Sequence, residues 1–226
     1  MVFVHLPSRR RLHQPWAAAL LAILAILAYL WVSWWGDDAS RLAALLHWGT
    51  LTASPSDWRL LLHDGRGSSL VTALLIHASV WHLLGNVFFL LIFGVPGERA
   101  LGAWRLLALF LIGGALANLS AALFMAASAH AVLGANGGIA ALIGAYLVLF
   151  PRARLGIVVP LGLWLEFIRA PAALLIVLWA ALQLVFTFVG PTFGAAAWWA
   201  HLTGFVVGVL MALTFKPAMT RQGRGR

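Results

Sequence analysis

The chain has 226 residues, of which 63% are hydrophobic and 9% are charged, and its formal net charge is +9. Soluble domains carry roughly 25% charged residues, so this composition excludes an ordinary soluble domain and predicts a single polytopic membrane domain. The absence of cysteine excludes disulfides and thiolate chemistry. The basic residues lie in short clusters between apolar runs and form no basic helix face, which argues against nucleic acid as a partner.

Six apolar runs have about the length of a membrane-crossing helix, which needs roughly 20 residues. They predict an all-α membrane protein, a bundle of six transmembrane helices. The fourth run is short for a span unless its beginning lies inside the protein rather than in lipid. The runs are residues 16–35, 80–95, 104–124, 137–150, 172–189 and 198–215.

The placement of Lys and Arg predicts the orientation, because cytoplasmic loops are enriched in these residues. With the N-terminus inside, twelve of the fifteen basic residues fall on the cytoplasmic side, and Arg41, Arg59 and Arg66 fall outside. We therefore expect both termini to be cytoplasmic. In this interpretation residues 1–15 are a basic N-terminus, 16–215 the membrane domain with a long outer loop at 36–79, and 216–226 a basic tail.

The connections between the runs contain apolar stretches that charges interrupt. Residues 39–48 and 58–63 lie in the long outer loop, and residues 156–169 lie on the cytoplasmic side, where Pro160 and the charges prevent a span. Such stretches are typical of helices that lie in the headgroup region. We expect interfacial helices at these three places.

Polar side chains inside the predicted spans are few, and such residues are costly in lipid and usually functional. His82 and Asn86 are four residues apart and share one face of the second helix, with His77 at its outer end. A polar seam between packed helices is the alternative explanation, because His and Asn also form hydrogen bonds between membrane helices.

Two glycine-rich segments complete the set of unusual features. Residues 134–138, Gly-Ala-Asn-Gly-Gly, open the fourth run, where glycine permits a sharp turn and close approach. The N-terminus of the helix that follows favours negative charge. In the last run His201, Gly204 and Gly208 share one face, which suits tight helix packing beside a buried histidine. Each segment alone is also explained by packing.

Taken together, these motifs resemble the rhomboid family of intramembrane serine proteases. Residues 77–86, HASVWHLLGN, are similar to the family's His-x4-His-x3-Asn pattern, and residues 93–102, FGVPGERALG, resemble the turn with Glu98 and Arg99 that ends this helix. Residues 134–137, GANG, stand where the family has Gly-x-Ser-Gly. Residues 200–208, AHLTGFVVG, resemble Ala-His-x-x-Gly-x-x-x-Gly. The resemblance extends over residues 70–213.

The resemblance implies an intramembrane protease scaffold that needs no cofactor and lies in a bacterial-type inner membrane. In an active rhomboid, a serine at the beginning of the fourth helix attacks a peptide bond, and the histidine of the sixth helix, here His201, takes its proton. His82 and Asn86 would stabilise the oxyanion, with Gly134 lining the site. The resemblance implies a structural role, rather than a catalytic one, for the remaining motif positions. They are His77, Glu98, Arg99, Gly137, Gly204 and Gly208.

The nucleophile position departs from the pattern, because residue 136 is Asn rather than Ser. A carboxamide is not a nucleophile under these conditions, and the loss of the nucleophile from such a unit costs on the order of 10⁶-fold in turnover. The leading hypothesis is therefore a rhomboid-like protein that does not cleave. Its expected partners are membrane lipid and the transmembrane segments of client proteins.

Three alternatives stay open. The chain is an active rhomboid protease if Asn136 is an altered residue or if another hydroxyl acts as the nucleophile, the candidates being Thr203, Ser120 and Ser128. A metal site or transporter built on His77, His82 and His201 has the right ligands for zinc but no Asp or Glu within a predicted span. A purely structural membrane anchor is the third alternative.

Overall fold

The computed structural model describes residues 15–34, 37–51, 66–124, 131–161, 164–189 and 193–224, without side-chain detail at 157–168, 186–197 and 216–224. Within these ranges the fold is mostly helical, with two antiparallel strand pairs. The helices are α1 (Ala17–Trp34), α2 (Asp38–Trp48), α3 (Ser69–Thr72), α4 (Val80–Leu101), α5 (Ala103–Phe124), α6 (Asn136–Leu149), α7 (Ala172–Val189) and α8 (Phe193–Arg224). The strands are β1 (Thr50–Leu51), β2 (Ala131–Val132), β3 (Arg154–Leu161) and β4 (Trp164–Pro171).

Four helical segments in the described ranges are long and apolar enough to cross a membrane: α1, α4, α5 and residues Trp198–Phe215 of α8. The apolar helix α6 and the apolar part of α7, Ala172–Val185, are shorter. Each of the six predicted runs therefore corresponds to an apolar helix. The number of spans and the orientation of the termini stay predictions.

Helix α6 is the centre of the bundle. Its residues from Gly137 to Tyr146 are all buried, and it packs between α5 and α8. Its 14 residues extend only about 21 Å, which is short for a span. The enclosure of α6 by its neighbours is the arrangement that its length and its uniformly apolar sequence predict.

Glycines set the distance between α6 and α8. A Cβ atom at Gly204 would collide with the carbonyl oxygen of Gly137, and one at Gly208 with that of Ala141. From the first contact to the second, the residue number rises by four in both helices. The two helices therefore run in the same direction. The stripe of small residues therefore brings the two backbones into direct contact.

Helix α4 is interrupted in its middle by a π-helical segment, Leu90–Gly94, and ends before Gly102, whose φ of 86° only glycine adopts readily. The expected end near residue 95 was six residues too early. Pro96 lacks the N–H that a regular helix needs, but it lies only two residues after the π segment, where the regular hydrogen-bond ladder is already interrupted.

The long loop between α1 and α4 contains a helix at one of the two places where helices were predicted. Helix α2 covers the predicted stretch 39–48, and the Asp37 carboxylate accepts the Ser40 N–H at 2.7 Å as its N-terminal cap. Strand β1 pairs with β2, which leads into α6. The predicted interfacial helix at 58–63 lies outside the described residues.

The third predicted interfacial helix, at residues 156–169, was wrong. Strands β3 and β4 form an antiparallel hairpin there, with Gly156 opposite Arg169 and Leu161 opposite Trp164. The run of β-branched residues at 157–159 favours extended backbone, and the proline at position 160 removes a helix hydrogen bond. The prediction of a helical membrane protein is confirmed in its coarser form, because the fold is mostly helical and the strand pairs β1–β2 and β3–β4 are exceptions within it. Helix α8 also continues to Arg224, through most of the predicted tail.

Candidate functional site

The polar cluster at the beginning of α4 forms around a local helix cap. The Ser79 hydroxyl accepts the backbone N–H of His82 at 3.2 Å, which fixes the first turn. His82 and Asn86 then project from one face of the helix. Ser79 was not predicted to have a role, although a serine before an apolar run is a recognised N-cap signal.

His77 is fully buried and supports Asn86. Its Nε2 lies 2.9 Å from the Asn86 amide nitrogen, and its Nδ1 lies 3.1 Å from the Leu75 carbonyl oxygen. The amide therefore donates to Nε2, and Nδ1–H donates to the carbonyl, which requires a neutral imidazole. Burial, and secondarily the neighbouring His82, lowers the pKa of His77 to about 4. His77 orients the Asn86 amide.

The glycine at position 134 lets the loop before α6 pass directly over this cluster. Its φ is 93°, and its N–H donates to the Ala73 carbonyl at 2.9 Å. A Cβ atom there would collide with the His82 ring and approach the Asn86 amide nitrogen to 3.1 Å. Glycine is required both by the backbone conformation and by the close approach.

Asn136 is the first residue of α6, and its side chain meets His82. The Asn136 Oδ1 lies 3.3 Å from His82 Nε2. Because a carboxamide oxygen only accepts, His82 is the donor in this pair. The structure thus brings Asn136, His82, Asn86 and Gly134 together in one half-buried site.

His201 lies on α8 one helical turn before Gly204, whose backbone contacts Gly137. Because α6 and α8 run in the same direction, His201 is at the level where α6 begins. Its ring makes an edge-on contact with Trp179 of α7, with ring centroids 5.1 Å apart. Trp179 was not predicted to contribute to the site, and no sequence motif singled it out.

A comparison with known protein families matches residues 64–218 to the rhomboid domain. The chain belongs to the rhomboid family. Together with its apolar helices, this makes it an integral membrane protein.

Three curated proteins with rhomboid names are similar to this chain. Rhomboid protease GlpG of Photorhabdus laumondii is 27% identical over 197 residues, which cover 85% of this chain and 59% of that protein. RHOMBOID-like protein 6, mitochondrial, of Arabidopsis thaliana is 34% identical over 91 residues, 40% of this chain and 29% of that protein. RHOMBOID-like protein 2 of the same plant is 30% identical over 83 residues, which cover 37% of this chain and 26% of that protein. The match thus covers less than two thirds of the length of each of these relatives.

Glu98 and Arg99 lie at the opposite end of the rhomboid domain, remote from the polar cluster. The buried Glu98 carboxylate accepts the backbone N–H groups of Trp16, Ala17 and Ala18 at 2.8, 2.9 and 2.8 Å. It therefore caps the N-terminus of α1 from a distant part of the chain. The adjacent Arg99 is exposed.

Two of the three hydroxyls considered as substitute nucleophiles pair with each other. The Thr203 hydroxyl donates to the Ser120 hydroxyl at 2.8 Å, between α8 and α5. Ser128 lies outside the described residues. This hydrogen bond joins α8 to α5. Thr203 is two residues after His201, so the two side chains point to different sides of α8.

The cluster contains two side chains that donate hydrogen bonds, those of His82 and Asn86. His82 Nε2–H is a donor aimed at the oxygen of residue 136, and the Asn86 amide lies beside it. Both ring nitrogens of His77 are used in hydrogen bonds, which leaves none for a metal. Within the ranges that the structure describes, no three His, Asp or Glu side chains cluster as a metal site requires.

Proposed function

We propose that this rhomboid binds transmembrane segments of client proteins without cleaving them. The observation that carries the proposal is the pair of Asn136 and His82. The position from which a rhomboid nucleophile would attack holds a carboxamide, and that carboxamide accepts the hydrogen bond of a donor predicted to serve the oxyanion.

The exposed apolar face of α4 is suited to a client helix. Trp81, Leu84 and Phe88 are 79%, 52% and 60% exposed and follow one another at helical spacing along the outside of α4. This face is on the side of α4 away from His82 and Asn86, so a client helix would dock beside the site rather than in it. We place the protein in the inner membrane of a bacterial-type cell, with both termini in the cytoplasm.

A cleavage assay in liposomes tests the absence of protease activity. The native chain should cut a helix-destabilised transmembrane substrate no faster than empty liposomes do. Asn136→Ser should raise the rate at least about 1,000-fold, because it supplies the missing nucleophile. The double variant Asn136→Ser with His201→Ala should be inactive again.

Two results would overturn this part of the proposal. Cleavage by the native chain that disappears in His201→Ala would show an active protease, as would covalent labelling of the native chain by a fluorophosphonate. A folded but inactive Asn136→Ser variant would show that the roles predicted for the site residues do not apply.

Client binding is tested separately, by energy transfer between the labelled protein and a labelled transmembrane peptide in nanodiscs. Trp81→Ala and Leu84→Ala should weaken binding about tenfold each, if each removes a contact of about 1.4 kcal/mol. The matched controls are Leu27→Ala and Leu30→Ala on α1, which are 56% and 57% exposed. Equal effects of the two pairs would mean that α4 is not the docking face.

A further inference from the structure

Helix α8 presents different sides to its neighbours. Gly204 contacts the backbone of α6. On another side, Thr203 donates a hydrogen bond to α5, and Trp199 stacks on Phe124 of α5 with ring centroids 4.4 Å apart. These contacts fix the position and the rotation of the α8 backbone. The orientation of the His201 ring is a separate matter, because its side-chain torsions depend on the groups that touch the ring itself.

The ring that contacts His201 comes from α7. The rings of Trp179 and His201 meet edge-on, with centroids 5.1 Å apart and an angle of 80° between their planes, which is a favourable arrangement of two rings. The beginning of α6 cannot supply such a contact. Its first aromatic residue is Tyr146, ten residues after Asn136, which corresponds to about 15 Å along the helix.

A cavity of about 150 Å³ lies beside this contact, between α7 and α8. Its lining includes Trp179 and Gln183, which are four residues apart on one side of α7, and Trp198 and His201 of α8. Protein interiors contain few voids larger than a water molecule, so the packing on this side of His201 is incomplete. An imidazole beside open space can rotate unless a neighbouring group restrains it. Trp179 lies where it can do so.

We propose that Trp179 is a positioning residue, which holds the His201 imidazole in one orientation at the level where α6 begins. The glycines of α8 place the backbone of His201, and Trp179 places its ring. The consequence for turnover rests on the proposed function, in which Asn136→Ser supplies a nucleophile for His201. Proton transfer requires the two groups to be within hydrogen-bond reach, and a misplacement of about 1 Å can cost about 100-fold in rate.

Nuclear magnetic resonance tests the ring contact in the full-length native chain, without any cleavage. With isotope-labelled histidine side chains in detergent, the His201 signals are those that disappear in His201→Ala. Trp179→Leu should shift them, because the ring current of the indole is lost, whereas Trp179→Phe should shift them less. The His82 signals should stay in place in both variants. Unchanged His201 signals in Trp179→Leu would overturn the proposal.

Kinetics in the Asn136→Ser background test the positioning role. The addition of Trp179→Leu should lower kcat by about 10- to 100-fold and leave KM within about twofold, because the ring acts on the reacting geometry and not on substrate binding. Trp179→Phe should recover most of kcat. A loss confined to KM, or equal kcat values for the Leu and Phe variants, would contradict the role. An inactive Asn136→Ser parent would instead contradict the proposed function, and the His201 signals would then decide on Trp179.

A control variant separates the ring contact from the general packing of α7. Trp179 also lines a larger apolar cavity between α4 and α7, together with the buried Ile176 one turn before it. Ile176→Ala removes buried volume from the same helix but keeps the indole, so the His201 signals and kcat should stay close to those of the parent. Equal effects of Ile176→Ala and Trp179→Leu would mean that Trp179 acts through packing alone, and the proposal would be overturned. Should Trp179→Leu not fold, Trp179→Met takes its place, because the unbranched Met side chain adapts to irregular space.

Discussion

At the scale of single residues, the site is organised by hydrogen bonds that fix which groups donate. His77 accepts from Asn86 and donates to Leu75, so the Asn86 amide has a defined orientation. His82 donates to Asn136. These bonds fix the orientation of the His82 and Asn86 side chains where α6 begins. Donors that are fixed in this way are what the predicted oxyanion role would require.

The neutral state of His77 makes the stability of the protein depend on pH. Its pKa is about 4 in the folded protein against 6.5 ordinarily. Because the folded value is the lower one, the stabilisation is complete above about pH 6.5 and is lost as the pH falls toward 4. The difference corresponds to about 3 kcal/mol at full protonation.

The variant His77→Gln should be less stable at pH 7 but should lose less stability between pH 6.5 and 4 than the native chain. The measurement is the midpoint of thermal unfolding in detergent as a function of pH. His47→Gln, on the exposed helix α2, is the control and should keep the native profile. Parallel profiles for the native chain and His77→Gln would contradict the assignment.

Gly134→Ala should destabilise the protein by about 2–4 kcal/mol, because it adds a strained left-handed alanine and a collision with the His82 ring. Unfolding by denaturant in detergent measures this cost. The control Gly85→Ala, where a Cβ meets nothing within 4 Å, should leave stability unchanged or raise it by up to about 1 kcal/mol. Similar effects of the two variants would show that the loop is not held against α4.

At the scale of helices, the packing of α6 against α8 places His201. The backbones touch at Gly204 and Gly208, so the distance and the rotation of α8 leave no room for adjustment. The histidine one turn before Gly204 is consequently fixed at the level where α6 begins. A larger residue in this stripe would change the position of His201 without touching it.

Gly208→Ala tests this coupling between packing and the site. Its Cβ would meet the Ala141 carbonyl, which is backbone and cannot rotate away, so the cost should be about 1–3 kcal/mol. In the Asn136→Ser background, cleavage should fall by more than the loss of folded protein explains. Gly97→Ala, whose Cβ would lie 3.5 Å from a Leu106 methyl group, serves as the control. Full activity of folded Gly208→Ala would show that the helices can move apart freely.

At the scale of the whole molecule, α1 is tied to the rest of the bundle by Glu98. The three bonds join residues about 80 positions apart in the chain. They satisfy N–H groups that would otherwise lie at a helix end without partners, and they place a negative side chain at the positive end of the helix. The attachment of α1 thus depends strongly on one carboxylate.

Glu98→Gln should loosen α1 by about 1–2 kcal/mol, since the charge is lost and one acceptor oxygen becomes a donor. Hydrogen exchange of the Ala17 and Ala18 amides should accelerate by roughly tenfold or more. The adjacent Arg99→Gln should leave these amides unchanged. Unaltered exchange in Glu98→Gln would mean that packing, and not the cap, attaches α1.

The sequence alone determined the class of protein and the position of its apolar helices. Apolar runs and the sparse charges are local properties, so all six helices were located, and four of them are long enough to span. The order and spacing of the motifs also indicated the rhomboid family, to which the chain belongs. The prediction of an interfacial helix at 156–169 was wrong, because apolar content alone does not distinguish a helix from a strand. The β-branched residues and the pairing of two segments do distinguish them.

Only the tertiary structure decided which motif residues meet. The pairing of Asn136 with His82 joins positions 54 residues apart, and the cap of α1 by Glu98 joins positions about 80 apart. No local pattern encodes such contacts, because they arise when helices that are each stable in lipid pack against one another. A cavity lined by Phe93 of α4, Trp179 of α7 and Leu155 of the hairpin likewise depends on how these three elements pack together.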